Sequence, residues 1–235
     1  MPIEIIGDSG STLIDDSYMN MVLAVKGGLV LAPTGSGTYS YYIQFTYVSA
    51  EPSVLMALEL GAVPVGHLSS SRAGNVWTFT VHFNPADVGK SIAYYIFTIP
   101  PAVMDAGGMM QLRNAANQLT FDSNLKYMRV EGFYEASGGA AQSIATGMQP
   151  SRAYAAVCVM ARYYTQHLLW PPGGQVAAPW RFMDSGYVGL QSRSGTSLVA
   201  EIKITQQSSG QSDTSAQWTR GNSTARLLVI DVTNF

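Results

Sequence analysis

Charge is what this 235-residue chain has least of. Asp, Glu, Lys and Arg make up 12% of it, against about 25% in an average soluble domain. Lysine is the scarcest: Lys26, Lys90, Lys126 and Lys203 are all there are. The formal net charge is −2, and no basic stripe stands out. That argues against nucleic acid as a main ligand, because phosphate binding needs clustered Lys and Arg. Cysteine is limited to Cys158, so a disulfide framework and a four-cysteine zinc site are excluded. Set in the apolar run Ala155–Met160, Cys158 reads as a small core residue. No apolar run approaches the roughly 18 residues of a membrane helix. The opening Met1-Pro2-Ile3-Glu4 lacks the basic and long apolar regions of a signal peptide. The expectation is synthesis in a cytoplasm, with no membrane insertion.

What the chain does have is apolar and aromatic residues. Forty-seven per cent is apolar, with 13 Tyr, 11 Met and 4 Trp. Interface cores are depleted of charge and enriched in Tyr, Trp and Met. The composition therefore fits a subunit that covers much of its surface with neighbours. A secreted or viral β protein with a neutral Ser/Thr-rich face would have the same composition.

Gly and Pro punctuate the chain, and strand-like runs recur between them. They are Ile3–Ile6, Tyr18–Val25, Tyr39–Val48, Val76–Phe83, Ser91–Ile99, Tyr127–Tyr134, Tyr154–Tyr164, Trp180–Leu190, Ser197–Thr205 and Ala225–Val232. In Val76–Phe83, period two puts Trp77, Phe79, Val81 and Phe83 on one face and Thr78, Thr80 and His82 on the other. Asn84–Lys90 reads as a turn, and Ile99-Pro100-Pro101 ends a strand. Many short strands predict a mainly β fold of antiparallel sandwich modules with Gly/Pro-rich loops and little helix. Short helical turns are expected at Leu55–Gly61 and Ala102–Met110, and loops at Ser137–Gln149 and Gln206–Asn222.

An internal echo suggests two related β modules. Ile6–Ser17 resembles Leu112–Ser123 at an offset of 106 residues, each reading as strand, Asx-rich turn, strand and Asp-Ser. A boundary in the Pro100–Gly108 stretch divides the chain into modules 1–103 and 104–235.

Chemical motifs fail on their context. Leu31–Thr38 mimics a phosphate loop, but Thr38 stands where Lys is needed and a strand follows instead of a helix. Gly7-Asp8-Ser9-Gly10 looks like a hydrolase signature, but none of His67, His82 and His167 has an Asp three residues before it. A Ser without a base is weakly nucleophilic. The histidines show no metal-ligand spacing, and the carboxylates form no favoured pair. The expectation is a non-enzyme with no catalytic residues, metal or cofactor.

The aromatics remain as interface or glycan-contact candidates. Each of the doublets Tyr41-Tyr42, Tyr94-Tyr95 and Tyr163-Tyr164 should point one ring inward and one outward. Tyr41, Tyr95 and Tyr164 are taken as the outward members. Trp170 and Trp180 flank a proline-bearing loop and complete the set.

Leu112–Val130, with its strand, Asn-x-x-Asn turn, Phe121-Asp122-Ser123 and following strand, resembles tailed-phage virion proteins of the tail tip and fibres. So does the opening, with Gly7-Asp8-Ser9-Gly10, Asp15-Asp16-Ser17-Tyr18-Met19-Asn20 and Lys26-Gly27-Gly28. Asn117 departs from the pattern by replacing the usual turn Gly, at a left-handed position that Asn also occupies. The resemblance implies a structural role in a virion tail and brings no catalytic residues. Implied partners are other phage tail proteins and further copies of this chain, as a trimer or ring. A host-surface glycan is a further candidate ligand, since the alternative reading is a carbohydrate-binding β-sandwich serving as receptor-binding protein.

Overall fold

In the computed structural model, the apolar runs of the sequence become strands of two antiparallel sheets. The structure describes residues 4–6, 12–15, 20–36, 41–100, 109–114, 116–137, 142–145, 147–161, 163–170, 180–212, 218–222 and 224–235. Within these, the main chain alone is described at 4–6, 12–15, 36, 67–68, 142, 144–145, 163–170, 180–188, 201–212, 218–220 and 222.

The first half of the chain contains β1 (Glu4–Ile6), β2 (Thr12–Asp15), β3 (Val22–Val30), β4 (Gly35–Ser36), β5 (Tyr41–Val48), β6 (Val54–Glu59), β7 (Val65–Ala73), β8 (Val76–Phe83) and β9 (Ser91–Thr98). The second contains β10 (Gln111–Arg113), β11 (Leu119–Asp122), β12 (Arg129–Ala136), β13 (Gln142–Ala145), β14 (Tyr154–Met160), β15 (Tyr163–Trp170), β16 (Trp180–Ser194), β17 (Ser197–Ser212), β18 (Trp218–Asn222) and β19 (Ala225–Asp231). One sheet has six strands in the order β12-β19-β14-β6-β9-β3. The other runs β13-β17-β16-β7-β8-β5-β4, with β15 and β18 attached beside β16. β1-β2 and β10-β11 are separate hairpins.

The strand orders read as near-palindromes. β3, β6 and β9 of the first half answer to β12, β14 and β19 of the second; β5, β7 and β8 answer to β13, β16 and β17. At the centre of each sheet, corresponding strands pair with each other: β6 with β14, and β7 with β16. Pairing of like with like is the signature of a twofold relation. The hairpins agree residue by residue. Glu4↔Asp15, Ile5↔Ile14 and Ile6↔Thr12 recur as Gln111↔Asp122, Leu112↔Phe121 and Arg113↔Leu119, with a bulge at the same place. Each counterpart lies 107 positions on, not 106. The bulge decides this, since it fixes which residues face each other and places Asp15, rather than Asp16, at the position of Asp122. The halves on either side of residue 103 share both sheets, so they are packed as one body.

Local chemistry builds these elements. In the second hairpin the Asn114 side-chain oxygen accepts from the Ala116 and Gln118 amides (3.0 and 2.9 Å), an Asx turn. Asn117 takes the left-handed conformation expected of it, with φ +61°. Asn84 leads into a 3-10 turn, Pro85–Asp87, where buried Asp87 pairs with Lys90 at 2.7 Å. The β7-β8 and β16-β17 turns share an Arg-x-Gly device. Arg72 Nε donates to the Gly74 carbonyl and Arg193 Nε to that of Gly195, both at 2.8 Å, with each glycine at positive φ.

Three large cores follow from the alternation, besides a small cluster of Ala136, Ala200 and Ala225. Between the sheets of the first half lie Leu31, Met56, Leu58, Phe79, Val81, Phe83 and Ile96. Between those of the second lie Leu60, Tyr154, Ala156, Leu198, Leu227 and Val229. The six-stranded sheet is also apolar on its other face, where Ala57, Tyr95, Phe97, Ala155, Val157, Ile230 and Val232 are buried together. That sheet curls until its edge strands touch at their beginnings. Leu23 N–H donates to the Lys126 carbonyl (2.8 Å) and Met128 N–H to the Met21 carbonyl (2.9 Å). Curling removes part of an exposed sheet edge and encloses the third core. Each large side chain fully buried here contributes about 1.5–3 kcal/mol.

Burial on both faces accounts for the main departures from expectation. Leu55–Gly61, expected as a helical turn, is mostly β6: Met56 and Leu58 face one core, Leu55 and Ala57 another. A strand with two buried faces shows no polar alternation. His82, expected on a solvent face, is buried beside the Tyr42 ring (5.6 Å). Gln206–Asn222, expected as a loop, contains the end of β17 and all of β18. The described residues 206–212 and 218–222 are held by main-chain pairing with β16 and β15. Ser137–Gln149 contains β13. The expected helical turn at Ala102–Met110 lies outside the described residues except for Met109 and Met110, which are not helical.

Candidate interaction surfaces

Two of the five sequence candidates turn out to face inward. Tyr41 packs its ring edge-on against Phe83, 6.2 Å between centroids, on the core side of β5. Its neighbour Tyr42 takes the other face, over Gly35 and beside His82. Tyr95 is 3% exposed. The doublet rule holds for Tyr94 and Tyr95, since they occupy opposite faces of β9. Both faces are cores, however: Tyr94 packs against Phe45 (4.9 Å) and Tyr95 lies beneath Phe235 (6.5 Å). Tyr41 and Tyr95 are therefore anchors, not surface contacts.

Tyr164, Trp170 and Trp180 belong to one feature, although their side chains lie outside the described residues. β16 and β17 are 15 and 16 residues long and pair along their whole length. Their near ends, around Gln191 and Ala200, join the sandwich through β7 and β13. Their far ends run on with β15 and β18 into a four-stranded antiparallel arm, β18-β15-β16-β17. The eight residues of β15, at about 3.4 Å each, span roughly 25 Å. Trp170 stands opposite Arg181 and Trp180 opposite Ser212, so both mark the far end. Trp218 pairs with His167 along the same arm. Three of the four tryptophans thus belong to it.

A second surface went unnoticed in the sequence. On β12 and β14, Val130, Phe133 and Val159 are 53%, 55% and 58% exposed. They border the open side of the curled sheet, and one row of paired residues crosses it: Phe133, Leu228, Val157, Ala57, Tyr95 and Lys26. The row is apolar until it ends at Lys26. The signal available was the counterpart relation: Phe133 lies 107 residues after Lys26 and occupies the corresponding place on β12.

Burial and ion pairing shift several of the described titratable groups. Burial pushes the His82 imidazole down to about 4 and the Cys158 thiol up to about 12. Histidine is neutral and cysteine a thiol at neutral pH, and the thiol form is not the nucleophile. Burial raises Asp231, but Thr233, Arg129 and Arg152 outweigh it and hold this carboxyl below its ordinary range. Asp231 accepts from Arg152 at 3.1 Å and from the Thr233 amide at 2.8 Å. Among the described residues, no three His, Cys, Asp or Glu side chains gather where they could hold a metal. Ser9 and its neighbours lie outside the described residues.

No protein-family model, curated protein or solved structure matches this chain.

Proposed function

We infer that this chain is a structural subunit of a phage tail tip, baseplate or fibre attachment, acting through protein–protein interfaces in the virion and not as an enzyme. The observation that carries this reading is the arm. Four strands run beyond the sandwich in a chain with only 12% charged residues. A ribbon pinned along its length by main-chain pairing is a means of reaching a neighbour. Sparse charge suits surfaces that become covered, and Val130, Phe133 and Val159 offer apolar contact on the body. The tail-protein likeness of Leu112–Val130 supplies the setting, with other tail proteins and further copies of this chain as partners.

Trp170 and Trp180 at the arm's far end support host attachment as a further role, with a surface glycan as ligand. Tryptophan faces stack on sugar rings as readily as they fill protein interfaces.

The test is made on purified particles of a phage that encodes the chain. Gold-labelled antibody should mark the tail end, and mass spectrometry should count several copies per particle. A chain absent from washed particles, or a stable monomer that turns over a substrate, overturns the reading. Binding of a glycan array by the isolated chain, lost in Trp170→Ala and Trp180→Ala, would support the attachment role.

A further inference from the structure

The place where the six-stranded sheet closes on itself is bridged by a short strap, residues 232–235. Three cations receive its carbonyl oxygens in turn. Arg129 donates to Thr233, Lys126 to Asn234 (2.8 Å) and Lys26 to Phe235 (2.9 Å). Lys26 stands on β3 of the first half, whereas Lys126 and Arg129 stand where β12 of the second begins. Two of the chain's four lysines are thus committed to one three-residue segment. Above them the Phe235 ring fills the end of the third core, 6.5 Å from Tyr95 and 6.0 Å from Phe97. Arg129 lies 4.9 Å and Lys126 6.0 Å from the centre of that ring. Asn234 takes φ +66°, which turns the segment back over the sheet. The strap's root is fixed separately, by Val232 N–H to the Ala153 carbonyl (2.9 Å) and Thr233 N–H to Asp231.

We propose that Asn234 and Phe235, beyond the root at Thr233, form a releasable strap that holds the seam between the two halves shut. Among the described residues, the seam's main-chain hydrogen bonds are Leu23 to Lys126 and Met128 to Met21. A two-bond contact between edge strands is weak alone. The strap ties both sides of it to one aromatic plug. Its cation contacts are to exposed carbonyl oxygens, which lose little when water replaces the protein donor. Letting go therefore exposes Tyr95, Phe97 and the starts of β3 and β12, while the β6:β14 join at the far side of the sheet keeps the halves together. A local opening of this kind needs less free energy than unfolding.

Hydrogen–deuterium exchange of the full chain tests it. In Phe235→Ala, the Leu23 and Met128 amides should exchange about tenfold faster or more, with the Ala155–Val157 amides of the central join unchanged. Phe235→Tyr, which keeps the ring, should retain slow exchange at the seam. Lys26→Met with Lys126→Met leaves the plug but removes two donors, and should speed the seam alone by a smaller factor. This pair also serves if Phe235→Ala fails to fold. The proposal is overturned if seam exchange is unchanged in these variants. It is equally overturned if seam and central join speed up together, since Phe235 is then ordinary core.

Discussion

In the first half of the chain, β7 and β8 form a hairpin of nine and eight residues; in the second, their counterparts β16 and β17 run to 15 and 16. The sandwich ends of the two hairpins are built alike, down to the Arg-x-Gly turn. The difference lies in what was inserted. Between β14 and β16 the second half has β15, and after β17 it has β18; β15 pairs with the extended edge of β16, and β18 pairs with β15. A second contrast sits in the curled sheet. Lys26 marks the first half's end of the row, where it holds Phe235; Phe133 marks the second half's end and is open to solvent. One half has become closed and the other left available. Related frames can therefore be specialised by changing one edge residue or lengthening one hairpin, without disturbing the shared core.

The comparison can be broken at its strongest point first. Phe97 and Ile230 occupy corresponding places in the third core, one from each half. Phe97→Ala should cost about 3–5 kcal/mol, and Ile230→Ala about 2–5. If the halves form one body, each variant should still unfold in a single transition in urea. A split transition in either would mean that the halves have separate stabilities. His82, buried in the first half, comes next. Its folded value near 4 lies below the ordinary value of 6.5, so the unfolded chain binds more protons between the two. Stability is then fully present above pH 6.5, falls as the pH drops, and is lower by about 3 kcal/mol around pH 4. His82→Phe, which keeps a ring against Tyr42, should flatten that limb of the acid titration.

Smaller effects sharpen the contrast between the halves. Asp231 receives Arg152 and Arg129 near the end of β19, whereas Thr98 closes the corresponding strand β9. Asp231→Asn should cost about 2 kcal/mol, the worth of its charged hydrogen bonds. Its carboxyl is held low when folded, so this contribution is present above the unfolded carboxyl's titration. It is lost as the pH falls through the lowered folded value, and Asp231→Asn should remove that acid limb alone. The turn arginines give the finest comparison. Arg193 reaches the carbonyls of Arg152 (2.7 Å), Gln149 and Gly195 (both 2.8 Å) and covers the Tyr154 ring. Arg72 reaches those of Gly74 and Ala50 and covers Trp77. Arg193→Ala should lower stability by about 1.5 kcal/mol and Arg72→Ala by about 0.5 kcal/mol, at roughly one unit per buried hydrogen bond and less for exposed ones.

Strands with one polar face were legible, because alternation leaves period two visible: Val76–Phe83 keeps its expected bounds, although His82 near its end is buried. So was the Asx hairpin, down to the left-handed Asn117. The centre of the six-stranded sheet was not. β6 has apolar residues toward two cores, and nothing local distinguishes that from a helical turn. The same two-sided burial misplaced Tyr95, since the rule that one ring of a doublet points outward assumes that outward means solvent. The arm was hidden for the opposite reason. Ser208-Ser209-Gly210-Gln211 carries no apolar period, and only its long-range pairing with β16 makes it a strand. Ser71-Arg72-Ala73-Gly74 and Ser192-Arg193-Ser194-Gly195 stood in the sequence as a second echo, readable only once the first had been aligned.

Like-with-like pairing at the centre of both sheets has a thermodynamic side as well. Two separate sandwiches meeting through β6 and β14 would dissociate on dilution, and their melting would depend on concentration. Joined in one chain, the same contact is unimolecular, and its effective concentration is set by the linker rather than by expression level. Such a pair stays assembled at any dilution.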